Sequence, residues 1–220
     1  MLFITDEVNK VVFGWSAKCG CTHIKKIFWY LKTSDENHKI HIPPEYSKLP
    51  DDVENYTVVI FCRNPYERLV SGFLDTRIWS DNWKEPTITF NAFVNELLTS
   101  RWEQIDIHHF TPQTSEFFHY QLLEKSKELM IYDINKIDYK CIEKLYNKKL
   151  PQSLIDFKGD HTRTETELME EPVYGMNIEL YSNYKVPTRF FYNDDFKKKV
   201  EHFYSFDFWY FKKKGFDYKL

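Results

Sequence analysis

Two short apolar runs, "KVVFGW" (10–15) and "YTVVIFC" (56–62), each lead directly into an amphipathic helical pattern, and this repeated order constrains the fold more than any other feature of the chain. Both runs are rich in β-branched and aromatic residues, as expected of buried strands in a parallel sheet. After the first, Ile24, Ile27, Phe28 and Leu31 recur at i, i+3, i+4 and i+7. After the second, Pro65 opens "PYERLVSGFLDTR", in which Leu69, Val70 and Phe73 repeat at similar spacing. A third run, "ELMIYDI" (128–134), precedes the helical "CIEKLYNKKL". Strands alternating with helices predict an α/β domain whose central parallel sheet carries helices on both faces. "FNAFVNELLTS" (90–100) and "SEFFHYQLLEKS" (115–126) read as further helices, and the polar stretches 34–52 and 156–175 as long surface loops.

At 220 residues and 26.8 kDa, one domain spanning 1–220 is expected. A chain 42% hydrophobic and 29% charged is neither disordered nor embedded in a membrane. Its net charge of −3 supplies no global basic field for nucleic acid. "MLFITDEVNK" lacks the basic and apolar regions of a signal peptide, and no segment has the ~20 apolar residues of a membrane span, so a cytoplasmic location is expected. Cys19, Cys21, Cys62 and Cys141 are too few for a disulfide scaffold and form no CxxC pair, which predicts no structural metal site.

In a chain with only 6 glycines, Ser16, Ala17, Cys19, Gly20, Cys21 and Thr22 crowd around Lys18 between the first strand and its helix. Small residues at a helix N-terminus let backbone N–H groups approach an anion closely. The same residues equally suit a turn that binds nothing. At the second junction, "FCRNPYERLVSGF" (61–73), Arg63 stands at the carboxyl end of a strand, where the ligand crevice of an open parallel sheet lies. Ser71 follows two helical turns further on, so that a guanidinium and a hydroxyl can converge on one phosphate. The competing account pairs Arg63 with a carboxylate and leaves Ser71 an ordinary helix residue. Two separate anion subsites suit a nucleotide charged at both ends of its ribose.

The segments "AKCGCTHIKK" and "FCRNPYERLVSGF" resemble the cofactor motifs of sulfotransferases that use 3′-phosphoadenosine 5′-phosphosulfate (PAPS). In that family a Lys-containing loop ending in Thr or Ser takes the 5′-phosphosulfate, and R-x-P-x-x-R-L-x-S takes the 3′-phosphate. The similarity is closest to the Golgi carbohydrate sulfotransferases of the chondroitin, dermatan and HNK-1 type, and it runs through most of residues 10–211. "DIHHFTPQTSEF" is similar to their H-x-x-P-Q segment at His109, Pro112 and Gln113, and "MIYDINKID" to their strand and acidic turn. "HTRT" (161–164) is similar to their Arg-Thr element, and "FYSFDFWYF" (203–211) to their C-terminal Tyr…Asp-Phe pattern. Ala17 stands where the family loop commonly has Pro, and the membrane anchor and lumenal cysteine bridges of the Golgi enzymes have no counterpart in the sequence.

The resemblance implies a three-layer, P-loop-like sulfotransferase fold and transfer of the sulfuryl group from PAPS, without metal, to a hydroxyl of a carbohydrate acceptor (oligosaccharide, polysaccharide or glycolipid), with 3′,5′-ADP as product. It implies Lys18 at the bridging or leaving oxygen, Thr22 at the 5′ anion through its hydroxyl and N–H, and backbone donors from Cys19, Gly20, Cys21 and His23. Thr22 as a mere helix cap is the blander alternative. Arg63 and Ser71 are implied at the 3′-phosphate.

An attacking alcohol gives up a proton, which a group titrating near neutrality accepts best. His109 is expected as that base, with a loop-fixing histidine as the alternative; His41 and His38 come next, then His108 and His161. Arg68 is expected to be structural, whereas Arg163 is a candidate for the cofactor or an anionic acceptor. Trp79, Trp83 and Trp102 either stack on sugar rings or belong to the core. A P-loop kinase is disfavoured because G-x-x-x-x-G-K-[ST] is missing. A non-catalytic nucleotide- or glycan-binding module is the other alternative.

Overall fold

The computed structural model describes residues 1–38, 40, 49–79, 89–99, 107–114, 120–157 and 166–220. In chain order the elements are β1 (Leu2–Asp6), β2 (Val11–Trp15), α1 (Cys21–Thr33), β3 (Thr57–Cys62), α2 (Pro65–Trp79), α3 (Phe90–Thr99), α4 (Ile107–Phe110), α5 (Tyr120–Leu123), β4 (Glu128–Asp133), α6 (Tyr139–Tyr146), α7 (Gln152–Ile155), α8 (Asp194–Phe203) and α9 (Ser205–Lys213). They fall into two compact units, Met1–Arg63 with Gln113–Asp160, and Asn64–Pro112 with His161–Leu220.

The first unit holds a four-stranded sheet in the order β1-β2-β3-β4. The three strands expected from the sequence, β2, β3 and β4, run parallel, with Trp15 opposite Phe61 and Cys62 opposite Asp133. β1 corrects the expectation of a parallel sheet: it is antiparallel to β2, with Leu2 opposite Trp15, so the sheet is mixed. Only residues 7–10 join the two strands, enough for a hairpin, whereas a parallel crossover needs a dozen residues or more. Asp6 closes that hairpin, its Oδ1 accepting from the amides of Val8 at 3.0 Å and Asn9 at 3.2 Å.

Alternation along the strands sends Val11, Phe13, Trp15, Val59 and Phe61 to one face. There they form a core with Ile24, Ile27, Phe28 and Leu31, the apolar stripe of α1, and with Ile142 of α6 and Leu154 of α7. Burying each such side chain contributes about 1.5–3 kcal/mol, so this stripe determines which side of α1 meets the sheet. On the opposite face Gly14 lies across from Phe3; a Cβ there would come within 2.8 Å of the Phe3 ring and 2.6 Å of Ile60 Cδ1. β3 is buried along its whole length, as the β-branched run predicts.

The second unit is helical with an aromatic core. Phe73 of α2 packs on Phe90 and Phe93 of α3 with ring centroids 5.2 and 5.1 Å apart, and Phe93 packs on Phe110 of α4 at 4.9 Å. Asn64 begins α2, its Oδ1 accepting from the Tyr66 amide at 3.1 Å. Of the C-terminal pair, α8 carries a signature that the sequence reading passed over, an Asn193 cap, Asp194 and Asp195 in the first turn, and buried Phe196 and Val200 four residues apart, whereas α9 has none. In α9 the apolar residues surround the helix, with Tyr210 and Phe211 buried while Phe206 and Trp209 stay exposed, so no one-sided stripe announces it. Of the helix expected at 115–126, residues 120–123 form α5, and 124–126 are a turn closed by the bonds of Lys125 N to Leu122 O and Ser126 N to Leu123 O; residues 115–119 lie outside the described residues, as do Trp83, Trp102 and the side chain of Trp79.

Candidate active site

The loop between β2 and α1 is shaped by two residues in the left-handed region, Lys18 (φ 64) and Gly20 (φ 71). Glycine adopts that conformation freely; lysine does so at a cost of about 1–2 kcal/mol, the kind of strain that collects at ligand sites. Cys19 N–H donates to Ser16 O at 3.2 Å and closes the turn. Gly20 is the N-cap of α1, and the first intrahelical bond runs from Ile24 N to Gly20 O at 3.0 Å. The amides of Cys21, Thr22 and His23 therefore precede the helical ladder, and the first turn carries no acidic residue. Because Gly20 is the cap, Thr22 sits within the first turn and is not an N-cap.

His23 turns its ring away from that role. Its Nδ1 donates to Phe157 O at 3.0 Å, and Tyr139 Oη lies 3.2 Å from Nε2, which accepts from it when the imidazole is neutral. Burial pushes its pKa below the ordinary 6.5, outweighing the carbonyl of Phe157, which favours the charged form.

Arg63 is the first residue past β3, half-buried, and its Nη1 donates to Lys18 O at 3.2 Å. Its backbone is held by the fully buried side chain of Gln113: Oε1 accepts from Arg63 N at 3.0 Å, and Nε2 donates to Arg63 O at 2.9 Å. Gln113 Oε1 also accepts from Cys19 Sγ at 3.1 Å. The first unit thus brings together Lys18, Cys19, Arg63 and Gln113. The sequence marked Gln113 only as the end of the H-x-x-P-Q match; no local pattern shows which backbone a buried amide will meet.

The second unit holds Ser71, half-buried on α2, and His109 on α4. His109 Nε2 lies 3.8 Å from Asp75 Oδ2, which the sequence reading missed because the partner comes from another helix. The short α4 is held by several independent contacts. Tyr204 Oη donates to Phe110 O at 2.8 Å, and the buried Arg68 donates from Nη1 to Thr111 O at 2.9 Å, the structural part expected of it. Phe110 also lies so close to Gly72 that a Cβ there would come within 2.7 Å of the ring.

His38 stacks on Trp29 at 4.1 Å between centroids and sits 4.0 Å from Asp35. His41, His161, Arg163 and the side chain of His108 lie outside the described residues. Among the described residues no cluster of His, Cys, Asp or Glu could hold a metal ion, and no helix is long and apolar enough to cross a membrane.

A family model described as the sulfotransferase family matches residues 1–214. The chain belongs to the sulfotransferase family. A sulfotransferase moves a sulfuryl group, and the mixed four-stranded sheet flanked by helices is the framework on which this one is built. Neither the curated proteins nor the solved structures contain a match to this sulfotransferase.

Proposed function

We propose that this sulfotransferase, with residues 1–220 acting as one domain, transfers the sulfuryl group of PAPS to a hydroxyl of a carbohydrate acceptor. The observation that carries the reading is the bond from Arg63 Nη1 to Lys18 O, which sets a guanidinium beside the start of α1. The residues there suit a doubly anionic nucleotide: left-handed Lys18 and Gly20, amides ahead of the helical ladder, and no acid in the first turn. PAPS supplies the sulfuryl group, and 3′,5′-ADP is its other product.

In-line displacement at sulfur leaves the protein chiefly to position groups and to stabilise charge, as in phosphoryl transfer. The Lys18 ammonium meets the charge that grows on the leaving oxygen. The amides of Gly20, Cys21, Thr22 and His23, with the Thr22 hydroxyl, hold the 5′ anion, the Cys19 amide expected among them being given to Ser16 O; Arg63 and Ser71 hold the 3′-phosphate. His109 takes the proton of the acceptor hydroxyl, and the Asp75 carboxylate, 3.8 Å from its Nε2, stabilises the imidazolium that forms. The carbohydrate acceptor rests on the likeness of the segments 106–117 and 203–211 to carbohydrate sulfotransferases.

Titration calorimetry with 3′,5′-ADP, with and without magnesium, tests the cofactor, and transfer of labelled sulfate from PAPS to a glycan panel tests the acceptor. Magnesium-independent binding and a labelled glycan are expected. Absent binding, or binding only with magnesium, rejects the cofactor; binding without any labelled glycan rejects the acceptor class.

A further inference from the structure

We propose that Gln113 is a positioning residue for the nucleotide, holding Arg63 in the register at which its guanidinium meets the 3′-phosphate. The inference rests on the PAPS reading above. The ladder between β3 and β4 ends at the pair Cys62 and Asp133, so Arg63 is the first residue beyond it, and α2 begins only two residues later at Pro65. The neighbours of Arg63 are anchored, Cys62 O accepting from Ile134 N at 2.9 Å and Asn64 O from Arg68 N at 2.9 Å, but the N–H and C=O of Arg63 itself lie past the strand pairing. The side chain of Gln113 pairs them. Its Oε1 takes the Arg63 N–H at 3.0 Å, and its Nε2 gives to the Arg63 carbonyl at 2.9 Å. Two opposed bonds to the N–H and C=O of one residue are what a hydrogen-bonded partner in an antiparallel pair provides. The amide thus extends the sheet by one position on a residue that carries a long cation.

The same Oε1 accepts from Cys19 Sγ at 3.1 Å, so one fully buried side chain joins Arg63 to the loop that holds Lys18. Few side chains can do this. The position needs an acceptor for two donors and, on the same planar group, a donor for a carbonyl; a carboxylate lacks the donor, and asparagine is one methylene shorter. The loop itself keeps an independent closure, Cys19 N to Ser16 O, and the capped start of α1. Loss of Gln113 therefore acts first on Arg63, at the 3′ end of the nucleotide, and leaves the 5′ seat in place.

The test compares 3′,5′-ADP with 5′-AMP, which lacks the 3′-phosphate, by titration calorimetry on the full chain and on its Gln113→Ala and Gln113→Met variants. Methionine fills nearly the volume of glutamine, so it serves where alanine leaves a cavity that unfolds the chain. The expected result is a loss of about tenfold in affinity for 3′,5′-ADP, with 5′-AMP within about twofold of the unaltered protein, since misplacement of a positioning group lowers only the interaction it positions. Equal losses for both nucleotides would show general loosening and overturn the proposal, as would unchanged affinity for 3′,5′-ADP. If the unaltered protein fails to bind 3′,5′-ADP at all, the PAPS reading falls and takes this inference with it, an outcome distinct from the other two.

Discussion

Arg63 Nη1 lies 3.2 Å from the carbonyl oxygen of Lys18, a contact between residues far apart in sequence at the neighbouring ends of β3 and β2. A guanidinium so placed lies beside the left-handed turn at Lys18, and its rigid planar fork is the group best matched to an oxyanion. Arg63→Ala is expected to weaken 3′,5′-ADP binding about ten- to a hundredfold, the loss of charge-assisted hydrogen bonds worth about 1.5–3 kcal/mol. Affinity for 5′-AMP should change far less. Calorimetry on both nucleotides decides it, and an unaltered 3′,5′-ADP affinity counts against the assignment.

Lys18 separates stability from turnover. Its φ of 64 is unfavourable for a lysine and open to glycine. Lys18→Gly is expected to gain about 0.5–1 kcal/mol in thermal denaturation, the relief of strain offset in part by the greater chain entropy of glycine. The same variant is expected to lose at least about a hundredfold in turnover, as when a charge-stabilising donor is removed. A variant that is both less stable and fully active would contradict both parts.

At the acceptor end, His109→Ala should abolish turnover, with a loss of about 10²–10⁴, while 3′,5′-ADP binds as before. Asp75→Asn removes the carboxylate 3.8 Å from His109 Nε2 and should lower kcat about tenfold with little change in KM for PAPS. Initial-rate kinetics separate the two constants. If His109→Ala stays active, the base lies elsewhere, with His41 next in line.

His23 makes a prediction about acid stability. Burial holds its folded pKa below the ordinary 6.5. As pH falls through about 6.5 the unfolded chain gains a proton that the folded chain resists, so stability declines from there down to the folded pKa and then levels off. His23→Asn keeps a donor for Phe157 O but cannot titrate. Its melting temperature should fall less than that of the unaltered protein between pH 7 and 5; parallel slopes would show that His23 carries none of the effect.

Much of the frame is written in short stretches of chain. β2, β3 and β4 follow from apolar runs, and α1 from Ile24, Ile27, Phe28 and Leu31, because strand and helix periodicity and the choice of buried face are properties of neighbouring residues. The crowding of small residues around Lys18 and the position of Arg63 at a strand end were legible for the same reason. β1 was missed because five residues followed by a tight hairpin leave little signal, and α9 because its aromatic residues encircle it.

The sequence alone determined the strand-then-helix order, the turn of small residues around Lys18, and membership of the sulfotransferase family. Only the tertiary structure decided that Gln113 would clasp Arg63, that Asp75 would face His109, and that Tyr204 would hold Phe110. The first set depends on conformational preferences within a few residues. The second consists of hydrogen bonds and ion pairs between distant segments, whose partners are chosen by the path of the chain and by the requirement that buried polar groups be paired.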